Sequence, residues 1–401
     1  MLNNIPYTST IEMMLTRKCN MNCKYCFEKD KVGKELDLDE VYSLLKRDNY
    51  SLPIKRFYMF GGEPLLNLKF MVDLIEKIKS DDSLCSKAKD SWIYEITHNI
   101  TTNGTLIDKN IDLLRDYGFT LQVSLDGPEE INDLNRVDYN GVGHFKHIEN
   151  NLKLCRENKV KYCLHGAISH NNYKNFDKIN EWFLEQMIMA IDPEENILDY
   201  LPTILYHNYC QLIFEDNISD EDLDELLKAY DRTIHMIFTT PLLEKYDFNT
   251  KKLIAEGFLA RRGGICSAGN TMFAIDDKMF LYPCHRWMTS GLDKNHSMSF
   301  DGFNESRPNG TNYHQYEQLL DLPNNGIMYG ELYDNDTKDE TNKQFQANWC
   351  PSTNYEITGS VCVYPAHYTM LIGELQNFIP KIAEYYDLNI DEYNKKYLNK
   401  K

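Results

Sequence analysis

The chain has no apolar run long enough to cross a membrane. Its first residues, MLNNIPYTST, have neither the basic segment nor the apolar core of a secretion signal. Positive charge is scarce: 43 Lys and Arg stand against 61 Asp and Glu, a formal net charge of −18 over 401 residues. Such a balance repels nucleic acid and anionic membranes unless a local basic patch offsets it. No such patch precedes the terminal NKKYLNKK, which reads as a solvated helix end. Low-complexity tracts are missing too. These absences argue against a membrane protein or a nucleic-acid binder, and the expected compartment is the cytoplasm. Eleven cysteines there do not form a disulfide framework, so metal or redox chemistry becomes their leading use.

What is present is a repeat of strand and helix patterns from residue 10 to about 190. TIEMMLT (10–16) reads as a first strand, DLDEVYSLLKRD (37–48) as a helix, and IKRFYMF (54–60) as a second strand. NLKFMVDLIEKIKS (67–80) is an amphipathic helix with Phe70, Leu74, Ile75 and Ile78 on one side. WIYEITHNITT (92–102), DKNIDLLRDYG (108–118), TLQVSL (120–125), HFKHIENNLKLCREN (144–158), KYCLHGAIS (161–169) and NFDKINEWFLEQM (175–187) continue the alternation, and ILDYLPTILYH (197–207) offers a sixth strand. Units of roughly 30 residues imply a parallel sheet, open or curled into a barrel, whose site lies on the loops after the strands. The short motifs all fall there: three cysteines after the first strand, GGEP after the second, TNG after the third, SLDGP after the fourth.

CNMNCKYCF holds Cys19, Cys23 and Cys26 with no fourth cysteine or histidine close by, the nearest histidine being His98 in the third strand pattern. Thiolates suit zinc, copper(I) or iron–sulfur clusters. A closed zinc site needs a fourth ligand. A [4Fe–4S] cluster on three cysteines keeps one iron open, while three buried thiols in a turn are the plainer alternative.

Cys19-x3-Cys23-x2-Cys26, with Tyr25 before the third cysteine, resembles the signature of radical S-adenosylmethionine (AdoMet) enzymes. Gly61-Gly62-Glu63-Pro64 resembles the family's second motif, which holds the methionine amino group; paired glycines permit close backbone approach, and Glu63 suits an ammonium. Thr102-Asn103-Gly104 and Ser124-Leu125-Asp126-Gly127-Pro128 resemble strand ends that approach ribose and methionine. Asn135-Arg136 followed by Gly141-Val142-Gly143-His144-Phe145 is similar to a stretch of peptide-modifying members. By that resemblance Arg136 pairs with the methionine carboxylate and Ile168 packs on adenine. The resemblance implies a partial (βα)6 TIM-like barrel of α/β class. It also implies a cluster with an open iron, and reductive cleavage of AdoMet to a 5′-deoxyadenosyl radical that takes hydrogen from a substrate.

Beyond residue 262 the helical periodicity stops. Cys266 and Cys284 flank MFAIDDKMFLYP, which reads as a hairpin, and Cys350 and Cys362 follow. The four resemble the one-cluster (twitch) form of the family's SPASM-type auxiliary extension, implying a second [4Fe–4S] cluster; a structural zinc on the same four thiols is the competing reading. The expected division is 1–207 for the core, 208–262 for a helical bridge, 263–365 for the auxiliary domain and 366–401 for a C-terminal helix. Sulfatase-maturing members carry an aspartate after the second hairpin cysteine, where this chain has His285. His285, Tyr282 and Asp277 are the candidate catalytic groups near the second cluster. Only about ten residues precede the first strand, so leader recognition would fall to a separate protein or another surface.

The favoured reading is an enzyme that abstracts hydrogen from a ribosomally made peptide and installs a thioether or carbon–carbon crosslink, or inverts a centre. Its partners would be that precursor peptide and an electron donor such as flavodoxin or ferredoxin. Small-molecule dehydrogenation and sulfatase-type oxidation are the enzymatic alternatives. A non-enzymatic iron–sulfur or zinc protein needs neither GGEP nor an open iron.

Overall fold

The computed structural model describes residues 10–26, 28, 31–46, 56–81, 97–191, 197, 209–212, 219–259, 272–279, 281–282, 284–285 and 366–393. Strands β1 (Thr10–Thr16), β2 (Arg56–Gly61), β3 (Thr97–Thr102), β4 (Phe119–Ser124), β5 (Lys161–Ile168) and β6 (Tyr209–Leu212) alternate with helices. The helices of this part are α1 (Leu38–Lys46), α2 (Leu68–Lys79), α3 (Ile107–Asp116), α4 (Glu129–Asn135), α5 (Phe145–Glu157) and α6 (Phe176–Ala190). Helices α7 (Asp220–Thr239) and α8 (Phe248–Leu259) follow. The short strands β7 (Met272–Ile275) and β8 (Leu281–Tyr282) come next, then α9 (Ala366–Tyr385) and α10 (Ile390–Tyr393). Among the described residues no helix is long and apolar enough to cross a membrane.

The chain divides into two compact units. One gathers the described residues within Met1–Ser124, Val137–Cys163 and Ser267–Glu331, the other those within Leu125–Arg136, Leu164–Cys266 and Leu332–Lys401. In the first, β1 pairs in parallel with β2, β2 with β3, and β3 with β4. Ile11 lies opposite Phe57 and Met13 opposite Met59. Alternation along these strands sends Met13, Met59, Ile100, Leu121 and Val123 to a face where each is 0–1 % exposed. On the other face stand Glu12, Tyr58, Asn99, Thr101 and Gln122. The Tyr58 hydroxyl donates to Gln122 Oε1, and Thr101 Oγ1 lies 2.9 Å from that hydroxyl. One face is thus a dry core; the other carries the buried Met14 and Phe60 together with a hydrogen-bonded polar patch of Tyr58, Thr101 and Gln122.

The helix expected over 67–80 is α2, and its Phe70, Leu74, Ile75 and Ile78 are buried as the periodicity requires. Helix α3 ends before Gly118, whose φ of +64° and N–H bond to Arg115 close the last turn. His98 lies in β3 between Phe57 and Phe119, and burial lowers its pKa to about 4. It belongs to the core.

Two expectations are refined. A sixth strand is Tyr209–Leu212; of the expected 197–207 segment Ile197 is helical, and 198–207 lie outside the described residues. A four-residue strand leaves too little alternation to stand out beside the longer apolar run upstream. The hairpin of β7 and β8 forms as expected, with Ala274 opposite Tyr282, but β7 also pairs in parallel with β1, from Thr10–Met272 to Met13–Ile275. In the second unit β5 pairs with β6 in parallel, and α7 opens on a capping box in which Ser219 and Asp222 cap each other.

Candidate active site

The cysteine loop leaves β1 at an irregularity. Met14 pairs with Phe60 and Thr16 with Gly61, so one extra residue is taken up in β1 and the chain is re-aimed as it exits. The loop then lies directly on the end of β2: Gly62 N–H donates to Thr16 O and Glu63 N–H to Lys18 O, each at 2.8 Å. A Cβ on Gly61 would stand 2.2 Å from Thr16 O, and one on Gly62 2.2 Å from Lys18 O. The paired glycines therefore serve first to let the second motif's backbone touch that of the cysteine loop.

Glu63 is fully buried. Its carboxylate accepts from Leu65 N–H at 3.0 Å, Thr102 Oγ1 at 2.7 Å and Asn103 N–H at 2.7 Å. Pro64 begins a short 3-10 turn (Pro64–Asn67) that aims the Leu65 N–H back at Glu63. Burial pushes the Glu63 pKa up to about 7 against the pull of those three bonds. Among the described residues no cationic side chain answers it. Asn103 Nδ2 bonds Asn20 Oδ1 at 2.9 Å and lies 3.9 Å from Cys19 Sγ, so the TNG turn is tied both to Glu63 and to the cysteine loop. Asn20 also donates to Thr105 Oγ1 at 2.7 Å, and Asn22 N–H to Val137 O at 2.7 Å.

Cys19, Cys23 and Cys26 are outside any disulfide, each half-buried, and Tyr25 between them is half-buried as well. Burial pushes the Cys19 thiol up to about 11, so at neutral pH it stays protonated unless a bound cation stabilises the thiolate. Among the described residues no three metal-binding side chains are gathered closely enough to hold a single ion. A cubane asks for a wider spread, because each thiolate binds a different iron. Three soft donors on one loop, out of disulfides and with no fourth beside them, fit such a cluster.

Ser124 closes β4 in the first unit and is nearly buried. In the second unit Asp126, fully buried, accepts from Arg136 Nε and from Ala167 N–H, each at 2.9 Å; Ile168 is likewise fully buried. Each unit thus contains its own cluster of the predicted residues. Of the expected auxiliary ligands, Cys284 is buried and outside any disulfide, and Cys266, Cys350 and Cys362 lie outside the described residues. Tyr282 occupies β8 opposite Ala274.

His285 and Asp277 have partners that motif reading missed. His285 N–H donates to Glu12 Oε2 at 2.8 Å, its Nδ1 stands 3.1 Å from both Glu12 oxygens, and its ring packs 4.9 Å from Phe60. Asp277 receives Arg17 Nε at 2.9 Å and Lys34 N–H at 3.1 Å, while Arg17 Nη1 reaches Glu28 at 3.1 Å. Gly33 is small because Arg17 Cδ lies 2.5 Å from where its Cβ would be. The available signal was a charge in a strand otherwise buried (Glu12 in TIEMMLT) and an arginine two residues before the first cysteine. Lys31, not singled out by any motif, places Nζ 3.0 Å from Cys26 Sγ.

Comparison with known proteins defines the class. The family described as the radical SAM superfamily matches residues 13–183. The cysteine-type anaerobic sulfatase-maturating enzyme of Clostridium perfringens (strain 13 / Type A) is 31% identical over 293 residues, 69% of this chain and 73% of that enzyme. GTP 3′,8-cyclase of Clostridium perfringens (strain SM101 / Type A) is 31% identical over 180 residues, 42% of this chain and 50% of the cyclase. The solved structure of native anSMEcpe with bound AdoMet and Cp18Cys peptide matches with a TM-score of 0.62 at 18% identity, covering 94% of this chain and 98% of its own. That likeness shows a shared α/β fold, with which the partial barrel implied by the family resemblance is consistent. This chain belongs to the radical SAM superfamily. It is an enzyme of that superfamily and uses a [4Fe–4S] cluster and AdoMet.

Proposed function

We propose that the enzyme removes hydrogen from a peptide, installing a thioether or carbon–carbon crosslink or inverting a centre. The identity over 293 residues with an enzyme named for maturating a sulfatase carries the peptide reading. The same observation favours a second reading, oxidation of a sulfatase residue. Against that, His285 stands where the sulfatase-maturing pattern has an aspartate, although Glu12 places a carboxylate directly behind it.

In this reading Cys19, Cys23 and Cys26 hold the cluster, and Glu63 accepts the methionine ammonium. When bound, the cluster and AdoMet supply a 5′-deoxyadenosyl radical that takes a hydrogen atom from the substrate. The chain's own contribution is placement. Thr102 and Asn103 hold the Glu63 carboxylate in one orientation, and Gly61 and Gly62 seat it against the cysteine loop. Ser124 ends the neighbouring strand, and Asp126 holds Arg136 in the second unit. The polar face of Tyr58, Thr101 and Gln122 lies one residue pair before Asn103 and Ser124 along the same strands, about 7 Å lower, where it can order a hydrogen-bonding substrate. Glu12 orients the His285 imidazole through Nδ1, which suits His285 to accept a substrate proton. Cys266, Cys284, Cys350 and Cys362 would hold the second cluster in an auxiliary domain over 263–365, with 1–207, 208–262 and 366–401 as core, bridge and terminal helix. A flavodoxin or ferredoxin would donate the electron, and leader binding would use a separate protein or another surface.

Anaerobic coexpression with any short peptide encoded beside this gene, followed by mass spectrometry, tests the reading. A loss of about two mass units per site is expected for a crosslink, or deuterium uptake from heavy water for an inverted centre. A peptide unchanged in mass in both solvents would overturn that assignment and turn the search to small-molecule dehydrogenation.

A further inference from the structure

The cluster thiols do not face the same kind of donor. Cys19 Sγ lies 3.4 Å from the Met21 N–H and 3.9 Å from Asn103 Nδ2, both neutral groups. Cys26 Sγ lies 3.0 Å from Lys31 Nζ, a full positive charge. Lys31 is half-buried, five residues past Cys26 and outside any helix or strand. The nearby carboxylate of Glu28 is itself engaged by Arg17 at 3.1 Å, and Arg17 is anchored in turn by Asp277 at 2.9 Å. The cysteine loop thus carries one cation fastened into a carboxylate network and a second aimed at a ligand sulfur.

We propose that Lys31 donates a charge-assisted hydrogen bond to the Cys26 thiolate of the bound cluster and so raises the potential at which that cluster accepts its electron. The inference rests on the reading of Cys19, Cys23 and Cys26 as the cluster ligands. An iron–sulfur cluster gains negative charge on reduction, and its potential follows net charge and the hydrogen bonds to its sulfurs. A fixed ammonium at bonding distance stabilises the reduced form more than the oxidised one, and half-burial strengthens the effect over that of a solvated charge. A neutral N–H acts in the same direction with less force. Lys31 is therefore a tuning residue: it eases electron entry from a donor of modest reducing power.

The test uses the full chain, reconstituted anaerobically, as parent, Lys31→Met, Lys31→Gln and Lys31→Arg at matched iron content. Redox titration followed by electron paramagnetic resonance reads the midpoint. The three-cysteine cluster is recognised by the change in its signal when AdoMet is added. In Met and Gln the reduced-to-oxidised ratio at a fixed potential should fall about tenfold, a negative shift of about 59 mV for one electron, with Arg close to the parent. An unchanged midpoint in Met and Gln overturns the proposal, as does an Arg variant that shifts as far as Met, since packing rather than charge would then be responsible. If Met fails to load iron, Gln decides. A parent signal indifferent to AdoMet would instead overturn the reading of the cysteines on which the proposal rests.

Discussion

Glu63 and Asp126 are both acidic, both completely buried, and both stand just past the end of a parallel strand, one in each unit. Their surroundings differ in kind. Asp126 has its own counter-ion in Arg136, 2.9 Å away, and an N–H from Ala167. Glu63 has three neutral donors, and its pKa rises to about 7 because burial costs more than those donors return. A buried carboxylate that the chain has already paired is a finished piece of structure. One surrounded by dipoles alone suits a cation that comes and goes, as an AdoMet ammonium does.

The most severe way to break that comparison removes what lies next to Glu63. Replacing Cys19, Cys23 and Cys26 together by alanine should halve the iron of the reconstituted protein and abolish AdoMet cleavage, read by iron assay and by release of 5′-deoxyadenosine. Asp126→Ala should come next. Removing the Asp126 carboxylate from the buried Arg136 costs about 3–5 kcal/mol, seen as a lower midpoint in denaturant with the cysteine loop intact.

Glu63→Gln sharpens the contrast, because stability and binding should move in opposite directions. Its folded pKa of about 7 lies above the ordinary 4.5. Between those values the folded chain holds the proton more tightly than the unfolded one, so stability falls as pH rises through that window and the cost persists above it. Relative to the parent, the glutamine variant should therefore gain about 1–3 kcal/mol in unfolding free energy between pH 4 and pH 8 in the cluster-free protein, offset by a pH-independent cost because its amide NH2 faces donor groups such as the Asn103 N–H. AdoMet binding should weaken about 10- to 100-fold in the same variant, with the loss of one charge-assisted bond. In the parent, AdoMet affinity should strengthen as pH rises through about 7 and then level off, whereas the variant's profile should be flat; equilibrium dialysis across pH checks both. Smallest of all, Ser219→Ala should cost about 1 kcal/mol of thermal stability through the α7 cap, with AdoMet cleavage unchanged.

Much of this was legible without coordinates where the signal is local. The cysteine spacing, GGEP and TNG at successive strand ends, and the α2 face of Phe70, Leu74, Ile75 and Ile78 each depend on residues close together in the chain. The β7–β8 turn and the Ser219/Asp222 cap were equally readable. What escaped depends on partners far away. Glu12 meets His285 across 273 positions and Arg17 meets Asp277 across 260, and no periodicity links such pairs. The polar contact of Tyr58, Thr101 and Gln122 was written in the strands as alternate polar residues, but assigning it a common face required the register of β2, β3 and β4. The strand at Tyr209–Leu212 was not read because four residues leave too short an alternation.

By itself, then, the sequence determined the chemistry the loops can support. Thiolates with an open position and a glutamate between glycines and a proline are set by residue type and spacing over a few positions. Tertiary structure decided the electrostatics: which carboxylate stays unpaired, which cation faces a cysteine sulfur, and how the hairpin is joined to β1. Those outcomes depend on burial and on distances of about 3 Å, some of them between segments 260 or more residues apart. Only the parallel pairing of the strands brings such segments together.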